Sequence, residues 1–245
     1  MKNVLITGGG NGIGCSIAKR FIQENTFKVF VVDNSFSELE KVPFYNDIFT
    51  FRLDVNDAQK VEDTIKNILV QHGGIDILIN NVGISPKENG IARTIENINL
   101  DEWNKVISTN LTSAFLFIKH TLPSMKDKNW GRIITISSQT ARTAAKIAGL
   151  HYATTKSGLV GLSRQIAAQY GQYNITSNCI APGRIESDMT NGVSNQVNEI
   201  FLEQNPIKRM GKKEEVASLV EYLAKDEAGY ITGATIDING GSFIG

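Results

Sequence analysis

The chain has 245 residues, 41% of them hydrophobic, and its 25 basic side chains balance its 25 acidic ones. That length suits one large α/β domain or two small ones, with ample material for a core. Zero net charge argues against a nucleic-acid partner, which would call for a basic excess, and no stretch approaches the roughly 20 apolar residues that cross a bilayer.

In chain order, short apolar strands alternate with amphipathic helices, without an internal repeat or a break in composition. Strands are predicted over residues 3–7, 28–33, 48–53, 75–80, 131–137, 175–181 and 234–238. Several are near-continuous apolar runs, such as Val29-Phe30-Val31-Val32, as expected of strands buried on both faces. The first run follows the initial methionine closely and is too short for the core of a signal peptide, so a cytoplasmic location is expected. One helix is predicted to open near Ile13. Val61, Ile65, Ile68 and Leu69 form the apolar face of another, which Asn56 or Asp57 caps and Gly73 ends. Val216, Leu219, Val220 and Leu223 repeat that pattern near the C-terminus. Cys15 and Cys179 have no metal-ligand or redox spacing; they read as buried apolar residues, and no metal site is expected. The alternation predicts an α/β fold in a single domain over residues 1–245: a doubly wound parallel sheet of about seven strands with helices on both faces. Ligands of such sheets lie beyond the carboxyl ends of the strands, where the strand order reverses.

The loop after the first strand reads Thr7-Gly8-Gly9-Gly10-Asn11-Gly12-Ile13-Gly14. Glycines between a strand and a helix let the backbone approach a pyrophosphate at the helix N-terminus, where unpaired amides favour an anion. A Rossmann-type dinucleotide site is expected there, with Gly8, Asn11, Gly12, Ile13 and Gly14 at the cofactor. A tight turn without ligand is the plainer alternative. Asp33 ends the second strand, where an acid accepts hydrogen bonds from the adenosine ribose. At about 5 Å and an effective dielectric near 20, its charge would repel a 2′-phosphate by roughly 3 kcal/mol. NAD(H) is therefore expected ahead of NADP(H), unless Asp33 serves only as a cap.

Tyr152 and Lys156 stand four residues apart in a predicted helix and so share a face. Free tyrosine, with a pKa of about 10, is a poor base at neutral pH, and a neighbouring ammonium lowers that value. Such a pair can donate a proton to a carbonyl being reduced or take one from an alcohol.

With these residues in place, the chain resembles the short-chain dehydrogenase/reductase family from the first strand to the C-terminus. Its Thr-Gly-x-x-x-Gly-x-Gly stands as residues 7–14, and its Asn-Asn-Ala-Gly as Asn80-Asn81-Val82-Gly83. The helix asparagine is Asn110, the fifth-strand serine Ser138, the Tyr-x-x-x-Lys Tyr152 to Lys156, and the late Pro-Gly Pro182-Gly183. The resemblance implies that Tyr152 is the acid/base and that Ser138 bonds the substrate oxygen as charge develops on it. Lys156 would hold the nicotinamide ribose and lower the tyrosine pKa, and Asn110 would support a water linking the lysine to solvent. Asp54 and Val55 would border the adenine, Asn81 the adenosine side, and Ile185 with Ser187 the carboxamide, and Gly83 would also touch the cofactor. Val82 replaces the usual alanine, and Ser187 stands where threonine is common.

The pattern is closest to β-ketoacyl (3-oxoacyl) reductases, notably in residues 181–189 and 230–233. It implies an oxidoreductase that interconverts a secondary alcohol and a ketone, a 3-oxoacyl/3-hydroxyacyl thioester being one candidate pair. A sugar, polyol or hydroxy-acid dehydrogenase is the alternative, and a non-catalytic dinucleotide sensor a remote one. Residues that dock a carrier protein in those reductases would align with Asn129 and Tyr173, neither of them basic. The loop over residues 84–100 is longer than usual for the family and carries Lys87, Glu88 and Arg93. Gln139, Arg142, Lys146, His151 and Arg184 fall in stretches expected to border the substrate, His151 foremost, and the four basic ones, Arg142, Lys146, His151 and Arg184, point to an anionic substrate group. The plainer alternative is that they are solvated or paired with acids. Family resemblance also implies a homotetramer.

Overall fold

The computed structural model describes residues 1–88, 90–144, 148–186, 202–203 and 205–245. Seven strands form one sheet: β1 (Lys2–Thr7), β2 (Phe27–Asp33), β3 (Phe49–Arg52), β4 (Ile77–Asn80), β5 (Gly131–Ile136), β6 (Ile175–Pro182) and β7 (Thr235–Ile238). All pairs are parallel, as the alternating pattern implied, and the structure sets their order as β3-β2-β1-β4-β5-β6-β7. Among the described residues, the longer helices are α1 (Gly12–Gln23), α2 (Ala58–His72), α3 (Leu100–Ile107), α4 (Ser113–Asp127), α5 (Leu150–Tyr170) and α6 (Lys213–Ala224). None of the described helices is long and apolar enough to cross a membrane.

Strand side chains alternate between two layers, because successive residues point to opposite faces of a sheet. Val4, Ile6, Val29, Val31, Ile77 and Ile79 pack with α1 and α6 on one face. Leu5, Phe30, Val32 and Leu78 pack with α2 and α4 on the other. Both faces are covered, which is why the central strands β1, β2 and β4 carry continuous apolar runs rather than apolar residues at every second position.

The predicted ends of α2 are met. Asp57 accepts the Lys60 amide at 3.1 Å, and Gly73 closes the helix in the left-handed region at φ 76°. Strand β4 begins two residues later than predicted. Gly74 also has positive φ, at 116°, so the chain is still turning there, although the Asp76 backbone already bonds Asn3 and Arg132 on either side and its side chain accepts the Asn3 amide at 2.7 Å. Between α3 and α4, residues Ser108–Thr112 form a π-helical turn that joins the two helices into one rod. The chain order reverses between β1 and β4, and the loops at their carboxyl ends open a cleft there.

Candidate active site

This cleft has a volume of about 760 Å³ and is lined by the segments that follow six strands. Of the expected cofactor residues, Gly8, Asn11, Gly12, Ile13, Asp33, Asp54, Val55, Asn81, Gly83, Tyr152, Lys156 and Ile185 line it. Ser187 and Lys146 lie outside the described residues.

The glycine loop is shaped by close approach. Gly8 and Gly12 have φ of 66° and 57°, a region that side chains rarely adopt. A Cβ at Gly10 would meet the Ser35 carbonyl oxygen at 1.9 Å, and one at Gly14 would meet that of Gly8 at 2.0 Å. Gly14 therefore lets the helix press on the loop and does not itself face the cleft. Asn11 leaves α1 without a side-chain cap, accepting instead from the Ser37 hydroxyl at 2.7 Å and the Glu38 amide at 3.1 Å. Amides at the start of α1 that Asn11 does not cap, and a backbone cradle that side chains would fill, fit a dinucleotide pyrophosphate, although Glu38 accepts the Gly12 amide. Asp33 is itself held in place: its carboxylate accepts the amides of Gly10 at 2.8 Å, Asn34 at 2.7 Å and Ser35 at 3.2 Å.

At the far end of the cleft are Ser138, Tyr152 and Lys156. Ser138 hydrogen-bonds the Tyr152 side chain and also accepts the Thr140 amide at 3.2 Å. Lys156 is buried; its ammonium donates to the Ile136 carbonyl at 2.8 Å and lies 5.5 Å from the centre of the Tyr152 ring. Burial pushes the Lys156 pKa down to about 8, partly offset by Cys179 beneath it. Tyr152 departs from the expectation. Burial raises its pKa, and the opposing influence is the Ser138 hydrogen bond rather than Lys156. Ser137 fastens α5 to the sheet through its hydroxyl, which donates to the Lys156 carbonyl at 2.8 Å.

Asn110 lies behind the cleft, in the π-helical turn. Its side chain accepts the Ile84 amide at 2.8 Å and donates to the Ile84 carbonyl at 2.9 Å and to Thr155 at 3.2 Å. It thus braces the loop after β4 against α5. The π turn and the end of α3 add Thr109 and Lys105 to the lining, and Ser137 joins it just after β5. Sequence spacing flagged none of these three. A register shift within a helix is the only local signal that would have turned Thr109 toward the cleft.

The structure gives three of the proposed substrate contacts partners within the protein. His151 is buried, with Nε2 2.9 Å from Glu102 Oε1, and does not line the cleft. Arg142 faces the C-terminus: it lies 3.7 Å from the Asp237 carboxylate, donates to the Thr235 carbonyl and rests against the Phe243 ring. Gln139 is occupied by Ser242, whose hydroxyl donates to it at 2.6 Å. In each case a partner roughly 50 to 100 residues away in sequence draws the side chain off the cleft. Arg184 lines a neighbouring cavity of about 270 Å³ with Asn205 and Arg209. Its charge depresses the pKa of half-buried Lys87, second to burial itself, so the long loop brings one cation near another.

Comparison with known proteins gives the same picture. Residues 8–242 match a family model described as enoyl-(acyl carrier protein) reductase. A 3-oxoacyl-[acyl-carrier-protein] reductase of Salmonella typhimurium is 38% identical over 99% of this chain and 98% of its own. One from Staphylococcus epidermidis is 36% identical over 99% of both. Among solved structures, a 3-oxoacyl-[acyl-carrier protein] reductase from Brucella melitensis superposes with a TM-score of 0.91 at 35% identity, covering 98% of this chain and 90% of that one. A second from the same organism, with bound NAD, gives 0.89 at 34% identity, with the same coverage. The chain therefore belongs to the short-chain dehydrogenase/reductase family, oxidoreductases that act on CH–OH groups with a nicotinamide dinucleotide.

Proposed function

We propose that residues 1–245 form one catalytic unit that interconverts a secondary alcohol and a ketone with NAD(H), a 3-oxoacyl/3-hydroxyacyl thioester being the first substrate class to test. The observation that carries this reading is the single cleft with Asp33 at one end and Ser138, Tyr152 and Lys156 at the other. Gly8 to Ile13 would hold the pyrophosphate, Asp33 the adenosine ribose, and Lys156 the nicotinamide ribose. When bound, the nicotinamide supplies or accepts the hydride. Tyr152 gives its proton to the carbonyl oxygen, or takes it back from the alcohol, while Ser138 donates a hydrogen bond to the same oxygen. Burial keeps the phenol protonated at neutral pH, which suits proton donation to a ketone.

Hydroxy-acid or polyol oxidation is the second reading, favoured by the acid at Asp33. Asn129 and Tyr173 lack the charge that would attract a carrier protein, but Lys126 lies 4.9 Å over the Tyr173 ring and returns a cation to that surface. The experiment is a turnover screen of the purified chain with NAD(H) and NADP(H). Its substrates are acetoacetyl thioesters of coenzyme A and carrier protein, a set of hydroxy acids, and a set of polyols. Tyr152→Phe is the control: the ring still packs, and turnover should fall by several orders of magnitude. A variant that keeps more than about a tenth of wild-type kcat, with chemistry rate-limiting, removes Tyr152 from its role.

A further inference from the structure

Helix α5 begins at Leu150 and carries Tyr152 in its first turn, where backbone amides have no partner within the helix. Its N-cap, Gly149, has no side chain with which to cap them. The Tyr152 amide nevertheless has an acceptor, since it donates to Nδ1 of His151 at 2.8 Å. That bond requires Nδ1 to be unprotonated, so the proton sits on Nε2, which points at Glu102 Oε1 2.9 Å away. The other oxygen of Glu102, in the first turn of α3, is bound by the Arg93 guanidinium. Arg93 belongs to the long loop over residues 84–99 and also pairs with Glu88. His151 is 1% exposed, and both its burial and Arg93 hold its pKa below the ordinary value, consistent with a neutral ring. A Cβ at Gly149 would lie 2.6 Å from the ring, so only glycine admits the imidazole there.

We propose that His151 is a positioning residue for the reaction, capping the first turn of α5 under Tyr152 and, through Glu102 and Arg93, tying the long loop to that helix. The proposal rests on Tyr152 being the acid/base. An acid/base misplaced by about 1 Å costs roughly a hundredfold in rate, so the turn that carries it needs a fixed seat.

The test compares His151→Asn, whose amide oxygen stands near the place of Nδ1, with His151→Leu, which has no acceptor. The probe is the best substrate of the screen above, with kcat expressed per NADH-binding site and NADH Kd read by nicotinamide fluorescence. His151→Asn should stay within about threefold of wild type, and His151→Leu should lose about tenfold or more in kcat with NADH Kd within twofold. Should His151→Leu fail to fold, His151→Gln takes its place, since it keeps the reach toward Glu102 but not the acceptor beside the Tyr152 amide. The proposal is overturned if the acceptor-free variant retains kcat within twofold, if Asn falls as far as it does, or if the loss follows NADH affinity. Tyr152→Phe in the same assay separates the two readings. If it remains active, the acid/base assignment fails; if it is dead while the acceptor-free variant is not, only the positioning role fails.

Discussion

At the scale of single residues, the site holds a lysine whose charge the fold disfavours. Depression of Lys156 from 10.5 to about 8 corresponds to about 3 kcal/mol against the ammonium in the cofactor-free chain. Between these values the unfolded chain binds the extra proton, so stability rises with pH from about 8 toward 10.5, and the penalty is complete below 8. Lys156→Met is expected to abolish turnover yet raise the melting temperature of the cofactor-free protein at pH 7 by several degrees, about 1–3 kcal/mol. The gain should shrink by pH 10. A lower melting temperature at pH 7 would mean that the bond to the Ile136 carbonyl outweighs the burial. Asp33 permits a second prediction at this scale. Replacing it with serine removes the repulsion toward a 2′-phosphate, and the ratio of kcat/KM for NADH over NADPH should drop by about ten- to a hundredfold. If wild type already uses NADPH as well as NADH, the three amides on Asp33 define its whole role.

At the scale of elements, the π-helical turn and the first turn of α5 connect the cleft to the rest of the molecule. Asn110 satisfies both backbone groups of Ile84 from a position that is 1% exposed. Asn110→Ala leaves those groups without this partner and should cost about 1–3 kcal/mol in urea unfolding. Asn110→Asp should do no better, because it sets a carboxylate oxygen against the Ile84 carbonyl; recovery of stability in the aspartate would refute the brace. The helices themselves were legible in the sequence, since Asp57, Gly73 and the spacing of Val61, Ile65 and Ile68 are local signals of an amphipathic segment and its ends. The π turn was not. It arises where α3 and α4 must both pack and yet turn Asn110 and Thr109 toward different neighbours, which no propensity encodes.

At the scale of the whole molecule, strand β7 closes one edge of the sheet with all four residues only half-buried, and Tyr230 beside it is fully exposed. Phe115 on α4, Leu150 on α5 and Ile244 at the C-terminus also stand open. We propose that these surfaces meet other copies of the chain. Light scattering should return four times 26.9 kDa, and Phe115→Glu with Leu150→Glu should shift the protein to smaller species. A monomer at micromolar concentration would contradict the proposal. The sequence alone determined the local features: apolar runs long enough for buried strands, glycines where the backbone must crowd, and Tyr152 four residues before Lys156. These are legible because each depends on neighbours within a few positions of the chain. Only the tertiary structure decided which polar and charged side chains are engaged away from the cleft. His151 lies 49 residues from Glu102, and Gln139 lies 103 from Ser242. Arg142 likewise finds Asp237 only when β7 joins the sheet. Whether a cation is a ligand contact or half of an ion pair is set by which distant carboxylate the packed sheet brings within reach, and that information lies in no single segment.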